Sequence, residues 1–328
     1  MTTEKENLKL LLKVAKQHYL LGMKQNEIAE KENLSKSMVS RLINKSIELG
    51  YVKFELNFPT ITVERLEKEL KQKFNLKYVF VAESSFNDEN IILSNISDGF
   101  SRFLNRIITN GATIGISYGN TMTYISEHLI PLPKKNVRFV QLNGGISNSH
   151  RNISTLNEEI LINFAKNYKG DWYFLPAPSF VDSPFIANAL KQDSKIKEIF
   201  NLMEETQIVI FSVGTINKEA LAVKAGYFSE QDFMNLRDEG FVGDICSRFI
   251  KKDGTQADAD LNDRVIGISL DKIKEKKFRV CVAIGNEKAE SILAGIKGGF
   301  INSLFTDEKT AMEIVRLAKD DEGKADVT

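Results

Sequence analysis

The feature that most limits the possible folds of this chain is the alternation, from Leu76 onward, of short β-rich runs with amphipathic helical patterns. Strands that alternate with helices favour βαβ crossovers and a mainly parallel sheet covered by helices on both faces. The predicted strands are residues 78–82, 113–117, 137–142, 172–175, 207–213, 265–270, 278–284 and 301–305. Helical patterns lie between most of them, for example at 90–109, 121–129, 155–168 and 309–317.

The first 57 residues have a different pattern, which is typical of a small all-α domain. A helix-period apolar stripe predicts a first helix ending at Gly22, and a second helix covers residues 25–32. Ser35 is a favourable N-cap for a third helix over 36–49, and residues 51–56 alternate like a strand. The predicted apolar faces of the first and third helices are Leu8, Leu11, Leu12, Ala15 and Tyr19, and Val39, Leu42, Ile43, Ser46 and Ile47.

Three short helices with a tight turn between the second and third match a helix-turn-helix. The third helix opens with small polar and basic residues, and no acidic residue lies between positions 35 and 47. Such side chains can contact phosphate oxygens of a duplex, and Arg41 can also bind a guanine edge. The predicted DNA-contacting residues are Ser35, Lys36, Ser37, Ser40, Arg41 and Lys45. The simpler alternative is a three-helix domain with a solvated basic face.

Composition excludes several other classes of protein. The formal net charge of zero excludes a uniformly basic nucleic-acid coat, and two cysteines make a disulfide framework improbable. Three scattered histidines predict no metal cluster, and no cofactor is expected. No apolar run reaches the roughly 18 residues that a membrane span needs, so the sequence predicts a cytoplasmic protein without a membrane partner.

The carboxyl ends of three predicted strands run into glycine-bearing turns. The sharpest, at 113–121, continues through Gly119 into a helix that opens with Asn120 and Thr121. Backbone N–H groups and hydroxyls at such a helix start suit a phosphate. The turns at 141–147 and 283–288 end two more strands, and carboxyl ends of strands share one rim of an open α/β sheet. We therefore expect the turns to converge on one phosphorylated small molecule.

The predicted effector-binding residues come from these turns and from the motif at 242–249, whose acid and arginine suit sugar hydroxyls and a phosphate. They are Ser117, Gly119, Asn120, Thr121, Asn143, Gly144, Gly145, Asp244, Arg248 and Lys288. Each signal has an ordinary alternative: glycine is common in turns, Lys288 could be a surface lysine, and Asp244 and Arg248 could form a structural ion pair. Cys246 has no histidine in its motif to activate it, which disfavours a nucleophile.

Over essentially its whole length, the chain resembles the SorC family of sugar-binding bacterial transcriptional regulators. The matching segments, in order, are the helix-turn-helix at 25–42, GISYGNT at 115–121, GGIS at 144–147, LPAP at 175–178, VGDICSRF at 242–249, NDRVIGI at 262–268, Lys288, and LFTDEKTA at 304–311. The resemblance implies an effector domain similar to phosphosugar isomerases. It also implies homotetramers that bind palindromic operators and respond to a phosphosugar.

Within the family, the chain looks most similar to deoxyribonucleoside-operon regulators. In that branch a lysine ahead of the Gly-Gly pair holds its effector as a Schiff base, and here the position matches Asn143. An amide cannot form an imine, so we expect non-covalent binding. The sequence also departs from the family at Lys24, where many members have a Ser or Thr that caps the second helix.

Together these features predict a regulator rather than an enzyme. The predicted organisation is a helix-turn-helix domain at 1–57, a linker helix at 58–76, an effector-binding and oligomerisation domain at 77–318, and a polar tail at 319–328. The predicted partners are double-stranded operator DNA, a phosphorylated sugar, and further copies of the chain in a dimer or tetramer. The competing hypothesis is a phosphosugar isomerase or aldolase with an accessory head, using Asp244, Glu158 or Lys288 for proton transfer.

Overall fold

A computed structural model describes residues 2–53, 59–84, 88–145, 157–257 and 259–325 of the chain. The chain forms two compact units, Met1–Phe58 and Pro59–Thr328. The helix predicted as a linker belongs to the second unit. Residues 146–147 of one predicted turn, 155–156 of a predicted helix and 54–56 of a predicted strand lie outside the described residues.

The described part of the first unit contains three helices, α1 (Thr2–Tyr19), α2 (Gln25–Glu32) and α3 (Lys36–Glu48). Its apolar core consists of Leu11, Val14, Ala29, Ile28, Val39, Leu42 and Ile43, with partly buried side chains around them. The predicted apolar faces were wrong at their margins: Leu8, Leu12 and Ile47 are each more than a third exposed. On α1 the buried stripe passes through Leu11, Val14 and Ala15, so Leu8 and Leu12 lie on its flank.

The turn between α2 and α3 is tightly specified. Asn33 takes a left-handed conformation (φ 54°), which asparagine tolerates, and the Leu34 N–H donates to the Ala29 carbonyl at 2.9 Å. The Ser35 hydroxyl accepts from the Met38 N–H at 3.2 Å, as its predicted role as N-cap requires. Residues 51–53, the described part of the predicted strand at 51–56, are not in a strand.

The second unit contains all ten described strands. They are β1 (Tyr78–Ala82), β2 (Thr113–Ile116), β3 (Arg138–Gln141), β4 (Asp171–Tyr173), β5 (Ile208–Phe211), β6 (Val213–Thr215), β7 (Phe241–Ile245), β8 (Arg248–Lys251), β9 (Phe278–Val282) and β10 (Ser303–Asp307). Seven form a parallel sheet in the order β1-β10-β9-β5-β2-β3-β4. The mainly parallel sheet is therefore confirmed. The other three form a small antiparallel sheet in the order β6-β7-β8.

Helices cover both faces of the parallel sheet. The described helices of the second unit are α4 (Pro59–Lys73), α5 (Glu89–Ile107), α6 (Asn120–Glu127), α7 (Asn157–Tyr168), α8 (Pro184–Gln192), α9 (Ser194–Glu205), α10 (Leu221–Lys224), α11 (Glu230–Asp238), α12 (Ala259–Asp263), α13 (Leu270–Glu275), α14 (Ala289–Lys297) and α15 (Glu308–Ala325). Of these, α10, α11 and α12 pack with the small antiparallel sheet instead. The apolar cores on the two faces are separate, with α5, α6 and α7 on one and α4, α9, α14 and α15 on the other. Helix α15 extends through residues 319–325 of the predicted polar tail.

One local prediction of secondary structure was wrong, and one hairpin was missed. Residues 265–269 make only isolated bridges, Leu270 begins α13, and the carbonyls of Gly267 and Ile268 accept from the Arg248 side chain instead of a neighbouring strand. The hairpin of β7 and β8 was not predicted. A side chain at Gly243, within β7, would collide with the Gly214 backbone and the Ser291 hydroxyl, which explains a glycine there despite its poor strand propensity.

Candidate functional site

A cavity of about 170 Å³ lies at the carboxyl ends of the central strands, roofed by the small antiparallel sheet. Strand β2 has β3 on one side and β5 on the other, so the chain reverses its direction across the sheet here. Such a switch point is where open α/β sheets bind ligands. The lining residues are Ser117, Tyr118, Gly119, Asn120, Asn143, Phe180, Ser212, Val213, Gly214, Thr215, Glu219, Ala220, Leu221, Ala222, Phe233, Asp244, Cys246, Ser247, Phe249 and Lys288.

One wall of the cavity is the amino end of α6. Gly119, its N-cap, has φ 143° and ψ 161°, a conformation that essentially only glycine adopts. Among the described residues no side chain caps this helix end, so its first N–H groups can bind an anion. This residue thus makes both the turn and the exposed helix start possible.

Lys288 brings a positive charge to the same place. The chain leaves β9, turns through Gly285 (φ 103°), and enters the short 3₁₀ turn that precedes α14. The Lys288 Nζ lies 3.5 Å from the Thr121 Oγ1 in the first turn of α6. Burial lowers the pKa of Lys288, although Glu287, Asp244 and Glu89 act in the opposite direction. Among the described residues the ammonium has no carboxylate within ion-pair distance.

The roof of the cavity carries a half-buried carboxylate, Asp244 of β7, next to a tight hairpin turn. Cys246 (φ 50°) and Ser247 (φ 68°) join β7 to β8, and both adopt the left-handed conformation of a type I′ turn. The Ser247 N–H donates to Asp244 Oδ2 at 3.0 Å, while Oδ1 packs against Gly214, where any side chain would collide with it. Burial raises the pKa of Asp244 to about 6, more than the Ser247 N–H and Lys288 lower it.

A chain of hydrogen bonds forms the floor. The Ser117 hydroxyl donates to Asn143 Oδ1 at 2.9 Å, and Asn143 Nδ2 donates to the Ser247 hydroxyl at 2.9 Å. The Tyr118 hydroxyl lies 3.0 Å from the Ser247 hydroxyl and 2.7 Å from the Ser179 hydroxyl. Burial raises the pKa of Tyr118, so its phenol stays protonated. The network fixes the polar side chains before any ligand arrives.

Ser212 provides a polar atom without a partner. It follows β5 directly and lines the cavity, and its buried Oγ has no hydrogen-bond partner among the described residues. An unsatisfied buried hydroxyl costs on the order of 1–3 kcal/mol. A hydroxyl or phosphate oxygen in the cavity could supply the missing partner, which makes the site chemically suited to a polar ligand.

The structure brings six of the ten predicted effector-binding residues together on this cavity: Ser117, Gly119, Asn120, Asn143, Asp244 and Lys288. Thr121 does not line it but lies behind it, next to Lys288. Gly144 and Gly145 do not line it either. Their N–H groups donate to the carbonyls of Ile266 and Ala177, and a side chain at Gly144 would collide with the Pro178 carbonyl. The glycine at position 144 is therefore explained by close backbone packing.

The prediction that Arg248 binds the effector's phosphate was wrong. Its guanidinium is buried and donates to the carbonyls of Ile268 (2.7 Å), Asn262 (2.7 Å) and Gly267 (3.1 Å). All three nitrogens of the guanidinium donate in these bonds, which hold residues 262–268 against the β7–β8 hairpin. The arginine is therefore a structural residue.

Sequence reasoning missed part of the site. Tyr118 and Ser247 lie inside motifs that were singled out, so their neighbours already signalled them. Ser212 directly follows β5, as Ser117 follows β2, but both serines lie inside predicted strands (207–213 and 113–117), so the sequence contains no separate signal for Ser212. On the apolar side of the cavity, Phe249 also lies inside a motif that was singled out, whereas Phe180 and Phe233 had no signal because they come from distant segments that meet only in the fold.

Glu158, considered above for proton transfer, and Cys246, considered as a nucleophile, do not form a second site. Glu158 is exposed on α7 and does not line the cavity. Cys246 lines it, but burial raises the pKa of its thiol to about 12, so it is not a thiolate at neutral pH. The described residues contain no group of His, Cys, Asp and Glu that could hold a metal ion.

In the first unit, the amino-terminal half of α3 presents an exposed polar surface. Ser35, Lys36, Ser37 and Arg41 are exposed, Ser40 is partly exposed, and the first turn contains no acid. Lys45, in the last turn, is also exposed. Glu32 pairs with Lys13 at 2.7 Å and accepts from Gln17, which joins α2 to α1. The exposed side chains of α3 thus form a polar and basic surface on a helix packed into the core of the first unit.

Among the described helices, none combines the length and the apolar character that a bilayer crossing requires.

The comparisons with known proteins agree with this architecture. The Sugar-bind family profile, which represents a sugar-binding domain, matches residues 59–316. The deoxyribonucleoside regulator of Bacillus subtilis is 32% identical over 312 residues, covering 95% of this chain and 99% of that protein. The transcriptional regulator LsrR of an Enterobacter strain is 29% identical over 322 residues, covering 96% of this chain and 94% of its own.

A solved structure extends the likeness to the complete fold. The full-length sorbitol operon regulator SorC from Klebsiella pneumoniae matches with a TM-score of 0.70 at 27% identity. The match covers 94% of this chain and 98% of that one, so it includes the amino-terminal helices as well as the sheet domain.

Proposed function

The chain belongs to the SorC family of sugar-binding transcriptional regulators, and we propose that it represses a carbohydrate or nucleoside catabolic operon under the control of a phosphorylated sugar. The observation that carries the proposal is the cavity at the strand ends. There the Lys288 ammonium lies 3.5 Å from the Thr121 hydroxyl at the uncapped amino end of α6. A phosphate at this position would meet a cation and open N–H groups together.

The sugar itself would be bound by the remaining polar groups. The Asp244 carboxylate is an acceptor for hydroxyl groups, and Ser212 offers a hydroxyl without a partner. Asn143 is an amide held between Ser117 and Ser247, so it can donate or accept but cannot form an imine. Binding is therefore non-covalent in this proposal.

The exposed surface of α3 is the proposed DNA-reading element. In a helix-turn-helix, the start of this helix enters the major groove. Ser35, Lys36 and Ser37 would then lie against phosphates, with Lys45 further along the helix, and Ser40 and Arg41 nearest the bases. Two copies of the chain in a dimer or tetramer would bind half-sites one duplex turn apart, about 34 Å, or a multiple of it. In this proposal the protein acts in the cytoplasm and is not an enzyme.

The DNA half of the proposal is tested by selecting binding sites for the purified protein from random duplexes. Arg41→Ala should weaken binding to the selected site by about 1–3 kcal/mol and relax the preference at one base pair. Lys9→Ala removes the same charge from an exposed position of α1 and should leave the base preference unchanged. Fluorescence anisotropy measures both. If Arg41→Ala keeps the affinity and the selectivity, Arg41 is not at the interface.

The effector half is tested on the same complex by adding sugar phosphates. In the presence of the active compound, the wild-type protein should release DNA. Lys288→Met should bind DNA normally but need at least a tenfold higher concentration, because the phosphate loses its cation. Lys297→Met, a surface lysine of α14 paired with Asp321, is the control and should respond like wild type. A normal response of Lys288→Met would remove the proposed phosphate position.

One observation supports the enzyme hypothesis enough to deserve its own test. Asp244, with a pKa of about 6, shares the cavity with Lys288, and a carboxyl of that pKa can transfer protons near neutral pH. Incubation of the protein with pentose and hexose phosphates, followed by NMR, would detect isomerisation or cleavage. Turnover that is lost in Asp244→Asn would reverse the assignment.

A further inference from the structure

The charges on the described part of the cavity wall bear on how many phosphate groups a ligand can carry. Among the lining residues that the structure describes, three are charged: Asp244, Glu219 and Lys288. The only cation of the three stands beside the amino end of α6, so the ammonium and the helix start together form one anion-binding position.

No second position of this kind exists on the described wall. The nearby guanidinium of Arg248 donates to three backbone carbonyls and is not part of the lining. Much of the remaining wall is apolar, formed by Phe180, Phe233, Phe249 and residues 220–222. An apolar wall cannot replace the hydration shell of a phosphate dianion.

The other two charges repel a second phosphate. Asp244 faces the cavity from the roof, and Glu219 lines it from the segment before α10, where it pairs with Lys224 at 2.7 Å. A carboxylate accepts a hydrogen bond from a sugar hydroxyl, whereas it repels another anion. Asp244 contributes most of this repulsion, because Glu219 is exposed to solvent and its charge is paired with Lys224.

We propose that the site selects sugars that carry one phosphate group and rejects the corresponding bisphosphates. The inference rests on the proposed function, because it assumes that the cavity binds the effector. The proposed function does not specify the class of sugar phosphate. The inference specifies a monophosphate whose free hydroxyl groups face Asp244.

The test uses matched pairs of ligands that differ by one phosphate. Isothermal titration of the full-length protein compares fructose 6-phosphate with fructose 1,6-bisphosphate, glucose 6-phosphate with glucose 1,6-bisphosphate, and ribose 5-phosphate with ribose 1,5-bisphosphate. For whichever sugar binds, the monophosphate should bind at least tenfold more tightly than its bisphosphate. A variant with both Asp244→Asn and Glu219→Gln should reduce that ratio at least fivefold, because the repulsion is gone.

The outcomes separate this inference from the proposed function. Bisphosphate binding as tight as that of the monophosphate, or tighter, overturns the inference and leaves the proposed function standing. An unchanged ratio in the double variant also overturns it, since the carboxylates would then not be the cause. Failure of every mono- and bisphosphate to bind overturns the proposed function, and the inference with it.

Discussion

Replacing Asp244 by asparagine should make the protein more stable, and the gain should depend on pH. Burial raises the pKa of this carboxyl from an ordinary 3.8 to about 6, so the folded protein holds the proton that the unfolded chain releases. Its contribution is therefore neutral below pH 4, falls as the pH rises from 4 to 6, and is fully unfavourable above pH 7. The shift corresponds to about 3 kcal/mol of lost stability at pH 8.

Asparagine has almost the same shape and can still accept from the Ser247 N–H, but it carries no charge. The free energy of unfolding of Asp244→Asn should exceed that of the wild type by about 3 kcal/mol at pH 8, and by about half as much at pH 5. Urea denaturation measures both values. The single tryptophan, Trp172 in β4, reports on the second unit through its fluorescence.

Glu219→Gln is the matched control, because Glu219 lines the same cavity but is exposed and paired with Lys224. Lys224 lowers the pKa of Glu219, so this variant should show no gain that grows with pH. Equal stability increments for Asp244→Asn at pH 5 and pH 8 would refute the reasoning. A loss of stability in Asp244→Asn at pH 8 would also refute it, because the ionised Asp244 would then be stabilised by favourable interactions in the folded protein.

Two further substitutions test individual parts of the site. Gly119→Ala forces a side chain into a conformation that only glycine adopts, so it should lower the free energy of unfolding by about 1–3 kcal/mol and weaken sugar-phosphate binding. A steric collision would not explain this result, since the atom nearest to the new Cβ is 4.0 Å away. Gly111→Ala, at φ 78° and in open space, should cost about 1–2 kcal/mol in the same denaturation assay and leave titrated affinity unchanged. In Arg248→Lys, the lysine cannot reach all three carbonyls, so the free energy of unfolding should fall by about 3 kcal/mol or more. The folded fraction of this variant should bind the sugar phosphate within threefold of the wild-type affinity. A loss of affinity without a loss of stability would return Arg248 to the binding site.

The parallel sheet was predictable because each strand is a short apolar run with its own helix, and such units assemble in few ways. The cavity position followed from the same logic, since the turns after β2, β3 and β9 had to share one rim. In both cases the local pattern and the global fold agree, which is the condition under which a single sequence is informative.

The roof of the cavity was not predictable for an equally physical reason. Strand β7 contains Gly243 and Asp244, both poor strand formers, and its turn uses Cys246 and Ser247 where a type I′ turn favours asparagine and glycine. Tertiary contacts require these residues: Gly243 admits the Gly214 backbone and the Ser291 hydroxyl, and Ser247 bonds to Asp244 and Asn143. Local propensity therefore pointed away from the strand that carries Asp244.

The role of Arg248 was misjudged because a sequence motif identifies a cation but not its partners. Beside an acid and two small polar residues, an arginine suggests anion binding, and only the fold reveals that its donors meet carbonyls. The N-cap of α2 shows the opposite case, in which the fold supplies an interaction that the residue type does not suggest. Lys24 has no hydroxyl to cap the helix, yet the Glu27 carboxylate accepts from the Lys24 N–H at 2.9 Å and satisfies that donor.

Several polar groups of the cavity lower the stability of the ligand-free protein, and this loss of stability bears on function. An unpartnered Ser212 hydroxyl, a carboxylate with a raised pKa and an ammonium with a lowered pKa each make the ligand-free fold less stable than an apolar cavity would. A sugar phosphate that satisfies all three recovers this free energy and so stabilises the second unit by mass action. It alters operator affinity only if the DNA-bound and free arrangements of the protein bind it unequally. Stabilisation and regulation are thus separate quantities, and a ligand that raises the melting temperature without releasing DNA would bind both arrangements equally.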